Sequence, residues 1–214
     1  MRLILILVSI LFSGTSPVTT PVWTLDGTAE GRIQTQRPTD YFQEPDFEAV
    51  YNMSTGFDSE IADDIPAALS GKMIVEVTLW MGEWYGWDDP DGVTVNFYQG
   101  ACPPLIHPFL SITIPWSDWE KELVHAGLAT VYRITAALPQ PVEILPQMSI
   151  GGYVNISWGP VEPFTGLCAT EEWNIHGLGE AYLDGASWGY TRWTSTAFYT
   201  GIPRDLAYRL LCTP

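Results

Sequence analysis

Short segments in which apolar and polar residues alternate follow one another from residue 72 onward. An alternation with a period of two places the apolar side chains on one face of a β-strand, so each segment predicts a half-buried strand. In the segment 72–84 we expect Val75, Val77 and Leu79 on one face. We expect on the other face Ile74, Glu76, Thr78 and Trp80. Further predicted strands span 93–98, 109–114, 130–138, 148–158 and 206–212, with Leu206, Tyr208 and Leu210 sharing a face.

Turn-forming residues separate these segments. The run DDPDG at 88–92 is typical of a turn, and it predicts that segments 72–84 and 93–98 are neighbours in a hairpin or across a longer loop. Helical pattern is weak: Ser117 as an N-cap, with Glu120 three residues later, predicts one or two turns over 117–123. Nineteen glycines and seventeen prolines also suit short strands joined by turns. We therefore expect an all-β fold, an antiparallel β-sandwich of the jelly-roll type.

The N-terminal sixteen residues have the pattern of a secretory signal peptide. Arg2 precedes the apolar run 3–12, and the small residues SGTS follow. The run is shorter than the ~20 apolar residues that span a bilayer, so we expect no membrane span in the mature chain. The sequence thus predicts a secreted or surface-exposed protein, with a signal peptide at 1–16, an extended lead-in at 17–44 and one β-sandwich domain at 45–214.

The strong negative charge limits the possible partners. The net charge of −16 argues against nucleic acid and against anionic membranes, whose ligands are basic surfaces. It suits solubility outside the cell, and it also suits calcium. Asp88, Asp89 and Asp91 are the candidate calcium ligands, because they supply closely spaced carboxylates in one turn; a solvated turn without metal is the alternative.

Tryptophan is abundant, with ten in the chain. Trp84, Tyr85 and Trp87 lie in an apparent loop beside the acidic turn. Indole rings stack on the apolar faces of sugars, and carboxylates accept hydrogen bonds from sugar hydroxyls. These three residues are therefore a candidate carbohydrate-binding platform. The alternative is that the tryptophans fill the core.

The chain also resembles a group of secreted bacterial β-sandwich domains of unassigned function. The matching features are Asp63-Asp64, Trp80-Met81-Gly82, Val95-Asn96-Phe97-Tyr98, Trp158, Trp173 and Asp205-Leu206-Ala207-Tyr208-Arg209-Leu210. The resemblance covers roughly residues 45–212 and implies secretion and a sandwich fold, but no catalytic residues. It also implies that Asp63 and Asp64 are structural, pairing with Arg209 or a loop amide. Ile65 departs from the pattern, which has an aromatic residue at this position.

Three functions fit these features. The first is a non-catalytic binding or adhesion domain, with carbohydrate as its ligand. The second is a structural subunit, in which residues 17–40 add a strand to the sheet of another copy. The third is a glycoside hydrolase with paired carboxylates, for which Glu76, Glu83 and Glu172 are the candidates with aromatic or strand neighbours. The three histidines do not have the spacing of a zinc site.

The chain contains three cysteines, and we expect it to be exported to an oxidising compartment, so two of them can form a disulfide. We favour Cys102 with Cys168, because both lie in stretches rich in proline and glycine. Cys212 is then the unpaired residue, in the last predicted strand, where it can serve as a small buried apolar side chain.

This pairing predicts one alkylatable cysteine per chain when the protein is denatured without reduction. Mass spectrometry of the alkylated protein measures the number directly. Three alkylated cysteines would show that no bridge forms, and none would show an intermolecular bond or a modification at the third residue.

Overall fold

The computed structural model of the chain describes residues 18–23, 29–34, 39–43, 45, 50–51, 59–84, 89–100, 103–105, 107–126, 130–157, 164–168, 181–185, 193–196 and 204–214. Regular structure within these ranges consists of β-strands and two short 3-10 helices, at Ala67–Leu69 and Trp116–Asp118. The strands form two antiparallel sheets packed as a sandwich. The predicted all-β sandwich is therefore confirmed.

Fifteen strands are present in the described part of the chain. They are β1 Val18–Trp23, β2 Ala29–Gln34, β3 Thr39–Gln43, β4 Val50–Tyr51, β5 Ser59–Asp64, β6 Met73–Trp84, β7 Gly92–Gln99, β8 Leu110–Pro115, β9 Glu120–Ala126, β10 Thr130–Glu143, β11 Met148–Asn155, β12 Phe164–Cys168, β13 Tyr182–Gly185, β14 Thr194–Ser195 and β15 Tyr208–Thr213.

Eight of these strands have the order of a jelly roll. One sheet contains the run β3-β15-β6-β10, followed by β9, and the other contains β5-β11-β7-β8, preceded by β14 and β13. When these eight strands are renumbered from one to eight along the chain, their order across the first sheet is 1-8-3-6 and across the second sheet 2-7-4-5. This order is the double Greek key of a jelly roll. β12 pairs with the end of β6 and with β4, which makes the first sheet seven-stranded.

The expected pairing of the segments 72–84 and 93–98 is wrong. β6 lies in the seven-stranded sheet between β15 and β10, whereas β7 lies in the six-stranded sheet between β11 and β8. The chain therefore crosses from one sheet to the other between them. Alternation identified both strands, but it carries no information on which strand is the neighbour.

The face assignment within β6 is correct for Val77 and Leu79, which are buried in the core, and wrong for Ile74 and Val75. Ile74 is fully buried, while Val75 is partly exposed. The cause is an irregularity in the pairing with β15, where the partner of Leu211 is Glu76 but the partner of Cys212 is Ile74. Such a bulge inserts one residue and reverses the faces beyond it. In the last strand segment Leu206, Tyr208 and Leu210 are all buried, as predicted.

The helical prediction for 117–123 holds for less than half of its length. A 3-10 helix at Trp116–Asp118 follows Pro115 and has no side-chain cap, so Ser117 is not its N-cap. From Glu120 onward the chain is strand β9, which pairs with β10. Pairing at the edge of a sheet has overridden a local helical pattern here.

The predicted lead-in contains three strands. β1 and β2 pair with each other in a two-stranded sheet, and β3 pairs with β15 in the seven-stranded sheet. No helix in the described ranges is long and apolar enough to cross a membrane.

A buried carboxylate joins segments that are far apart in the sequence. Asp63, 1% exposed on β5, accepts hydrogen bonds from Gln43 Nε2 of β3 at 3.1 Å, from the Leu206 amide at 2.9 Å and from the Asp64 amide at 2.8 Å. The expected loop amide is therefore its partner. Arg209 instead forms a two-pronged ion pair with Asp40. Burial, with the charges of Asp205 and Asp64, raises the pKa of Asp63, and the amide donors oppose this.

Replacing Asp63 by Ala should lower the free energy of unfolding by about 3 kcal/mol or more, because three buried donors lose their acceptor. Asp40→Ala is the matched control, since it removes an exposed ion pair worth about 1 kcal/mol or less. Urea denaturation of both variants measures the difference. Equal losses would contradict a linking role for Asp63.

Candidate functional site

The six-stranded sheet carries polar and aromatic side chains on the face that points away from the core. On β7, Val93, Val95 and Phe97 belong to the hydrophobic core. Strand geometry then places Asn96 and Tyr98 on the opposite, outer face. Both are nevertheless almost completely buried. Polar side chains that are buried to this extent are usually hydrogen-bonded. The hydrogen bonds of Asn96 and Tyr98 converge on one carboxylate.

That carboxylate belongs to Glu60 of β5. Asn96 Nδ2 donates to its Oε1 at 2.7 Å, and the Tyr98 hydroxyl donates to its Oε2 at 2.6 Å. Each oxygen therefore accepts a hydrogen bond from a neutral group. The two donors in turn are fixed in orientation by the same carboxylate.

Glycine in the intervening strand makes this contact possible. β11 lies between β5 and β7, and Gly151 is paired with Ala62 on one side and with Asn96 on the other. A Cβ atom at Gly151 would lie 2.9 Å from Glu60 Oε1 and 2.8 Å from the Ile61 carbonyl oxygen. A side chain at this position would therefore displace the carboxylate from its donors on β7.

Two further residues complete the group. Asp184 of β13 is the direct cross-strand partner of Glu60, and directly opposed residues have Cβ atoms ~4.5–5.5 Å apart. The Trp193 and Tyr98 ring centroids are 5.4 Å apart, edge to face at 85°. We call Glu60, Asn96, Tyr98, Asp184 and Trp193 the outer-face cluster.

The electrostatics of the cluster are set by burial. Loss of solvation raises the pKa of Glu60 to about 7; the hydrogen bonds from Tyr98 and Asn96 oppose the shift, and the charge of Asp184 adds to it. The pKa of the Tyr98 hydroxyl is raised by burial and by Glu60, so it stays a proton donor at neutral pH. Glu60 is therefore poised between its two protonation states near neutrality.

Two buried polar atoms of the cluster have no hydrogen-bond partner among the described residues. One is the acceptor Asn96 Oδ1, on a side chain that is 4% exposed, and the other is the donor Trp193 Nε1. An unpaired buried polar group costs about 1–3 kcal/mol, so such groups are characteristic of sites that a ligand or water completes.

The predicted sugar-binding and metal residues are described only in part. Trp84 ends β6, but its side chain lies outside the described residues, as do Tyr85, Trp87 and Asp88. Asp89 and Asp91 are exposed. In the described part of the chain no three histidine, cysteine or acidic residues are placed to hold a metal. With Asp88 outside that part, the calcium site stays a prediction.

Asp91 has a structural role in its turn. Its amide donates to the Asn155 carbonyl at 2.9 Å, and its carbonyl accepts from the Trp116 amide at 3.0 Å. Its carboxylate accepts a hydrogen bond from the Ser157 hydroxyl at 2.9 Å. The residue thus connects the start of β7 to the end of β11 and to the 3-10 helix after β8.

The structure does not test the predicted disulfide between Cys102 and Cys168. Cys102 lies outside the described residues, and Cys168 is the last residue of β12 rather than part of a loop. Cys212 is a buried free thiol, as expected, and burial raises its pKa to about 11. No disulfide bond occurs among the residues that the structure describes.

Two of the three carboxylates considered for hydrolysis lie far apart. Glu76 and Glu83 lie seven residues apart on β6, which separates them by roughly 20 Å, and Glu172 is outside the described residues. The pair that does meet, Glu60 and Asp184, was not identified as a site. The usable sequence pattern was Gly151-Gly152 inside an apolar strand, which marks a close approach to the backbone.

Comparisons with protein-family models, with curated proteins and with solved structures found no match to this chain. Any function must therefore be inferred from the fold and from the outer-face cluster.

Glu60→Gln should change how stability depends on pH. The pKa of Glu60 is about 7 in the folded protein against about 4.5 for a solvated glutamate, so ionisation costs folding free energy as pH rises from about 4.5 through 7. Between pH 4 and 8 the free energy of unfolding of the wild type should fall by about 3 kcal/mol more than that of the variant. Denaturation curves at several pH values measure this.

Glu122→Gln is the matched control, because Glu122 is exposed and paired with Arg133 on the other sheet. Its pH dependence should follow the wild type. Parallel curves for Glu60→Gln and the wild type would contradict the assigned ionisation of Glu60.

Proposed function

We propose that this protein is a non-catalytic, secreted binding domain that holds a carbohydrate on the outer face of its six-stranded sheet. The observation that carries the proposal is the pair of unpartnered buried atoms in the outer-face cluster, the acceptor Asn96 Oδ1 and the donor Trp193 Nε1. A sugar hydroxyl both donates and accepts hydrogen bonds, so it suits an unpartnered acceptor as well as an unpartnered donor.

The surroundings of these atoms suit a sugar. Aromatic rings from Trp193 and Tyr98 supply apolar surface, and the carboxylates of Glu60 and Asp184 supply strong acceptors. The cluster is built on neighbouring strands and locked by the two hydrogen bonds to Glu60. Groups fixed before binding lose little conformational entropy when the ligand arrives, which favours affinity.

The platform of Trp84, Tyr85 and Trp87 is a separate hypothesis for the sugar contact. Trp84 ends a strand of the seven-stranded sheet, whereas the outer-face cluster belongs to the six-stranded sheet. Single substitutions in the two groups therefore distinguish them.

Glycoside hydrolysis is the second candidate function, and one observation favours it. Glu60 and Asp184 are opposed on adjacent strands, at the Cβ spacing compatible with the ~5–5.5 Å between the carboxyl groups of retaining enzymes, and the pKa of Glu60 is raised to about 7, as suits a general acid. Incubating a bound glycan with the protein and analysing the products separates the two functions. Recovery of the intact glycan supports the binding domain.

Trp193→Phe should weaken glycan binding about five- to tenfold, because the variant still has an aromatic ring but lacks the indole N–H donor. Trp116→Phe is the matched control: its indole N–H is also buried without a partner in the described structure, but it lies in the hydrophobic core. A glycan array identifies the ligand, and calorimetry with that glycan gives the dissociation constants. Absence of glycan binding, or equal effects of both variants, would contradict the proposal.

A further inference from the structure

The carboxylate of Glu60 has no cationic partner among the residues that the structure describes. Both groups that donate to it, the Tyr98 hydroxyl and the Asn96 amide, are neutral. None of the six described strands of its sheet contains a lysine or an arginine. Asp184, directly opposite, adds a second acidic group. A buried anion in these surroundings is costly unless a proton or a positive ligand neutralises it.

The unpartnered atom next to this carboxylate is also an acceptor. Asn96 directs its N–H toward Glu60, and its Oδ1 is buried without a donor among the described residues. Against the one unpartnered donor of the cluster in the described residues, Trp193 Nε1, stand Asn96 Oδ1 and the remaining lone pairs of Glu60, so acceptors outnumber donors. An N–H donor that also carries positive charge would supply both missing elements.

We propose that the outer-face cluster selects saccharides that carry an ammonium group, that is, amino sugars whose nitrogen is not acetylated. This inference rests on the proposed carbohydrate-binding function. The ammonium has three N–H donors, the carboxylate of Glu60 and the amide oxygen of Asn96 are acceptors for it, and the charge of Asp184 adds to the attraction. The adjoining rings of Tyr98 and Trp193 also favour a cation.

An ammonium fits the geometry better than a metal ion does. Tyr98 and Asn96 both direct hydrogen atoms at the Glu60 oxygens, so one lone pair of each oxygen is already used. The described residues also place no three histidine, cysteine or acidic side chains together as a metal would require. A single positive group with its own hydrogen atoms needs only the remaining lone pairs.

Binding of such a ligand must be coupled to the proton on Glu60. A neighbouring positive charge favours the ionised carboxylate, so the proton that Glu60 carries in part of the molecules near neutral pH is released when the ammonium binds. A neutral saccharide has no comparable effect on Glu60. Proton release therefore distinguishes the binding of an amino sugar from the binding of a neutral sugar.

The test compares a tetramer of glucosamine with a tetramer of N-acetylglucosamine at pH 6, by calorimetry in two buffers with different enthalpies of ionisation. The sugars share ring type, linkage and length, and differ in the charge of the nitrogen. We expect the glucosamine tetramer to bind at least tenfold more tightly and to release protons. Glu60→Gln should remove both the preference and the release, and Asp184→Asn should reduce the preference.

Glu122→Gln is the matched control for general attraction between a polycation and an acidic protein, because it removes one exposed carboxylate at a distant edge strand. It should keep the full preference and the proton release. Thermal unfolding shows whether each variant is folded, and Asp184→Asn provides a second variant if Glu60→Gln does not fold.

Equal or tighter binding of the acetylated tetramer would overturn this inference and leave the proposed function in place. The same holds if neither tetramer binds while other glycans on the array do. Equal losses in Glu60→Gln and Glu122→Gln would show attraction by net charge alone and would also overturn it. Failure of every glycan to bind would overturn the proposed function itself.

Discussion

The fold depends on hydrogen bonding to Asp63, a carboxylate buried between the two sheets. Its acceptor oxygens join β5 of one sheet to Gln43 at the end of β3 and to the Leu206 amide just before β15, which are neighbours in the other sheet. Gln43 Nε2 also donates to the Leu206 carbonyl, so the connection is closed on itself. Apolar packing alone would hold the sheets together without fixing their relative position, whereas directional bonds from one buried group specify it.

The same strand carries the candidate site on its other face. Side chains alternate along β5, so Asp63 points inward and Glu60 points outward. The inner carboxylate accepts three hydrogen bonds from amide groups of the protein. The outer one accepts two, and the carbonyl oxygen of its donor Asn96 has no partner among the described residues. One strand therefore supplies both a structural carboxylate and the carboxylate of the outer-face cluster, and the rigidity from the first positions the second.

Sequence patterns identified the strands better than the site. Alternation correctly located β6, β7, β10, β11 and β15, because one face of each packs against the core. It could not give their partners, since β6 and β7 are consecutive yet lie in different sheets. The outer-face cluster was not recognised from the sequence, because the donors to Glu60 are 36 and 38 residues away and its acidic neighbour is 124 residues away. Such a cluster exists only after the six-stranded sheet has formed.

The position of β15 has a consequence for how the protein reaches its native state. Residues 208–213 fill an internal position of the seven-stranded sheet, between β3 and β6, rather than an edge. During synthesis the earlier strands of this sheet therefore lack a central member until that segment leaves the ribosome, and non-local pairing of this kind is slow. We therefore expect the chain to fold more slowly than one whose sheets assemble in sequence order. Delayed folding of this kind suits translocation as an extended polypeptide, which the predicted signal peptide requires.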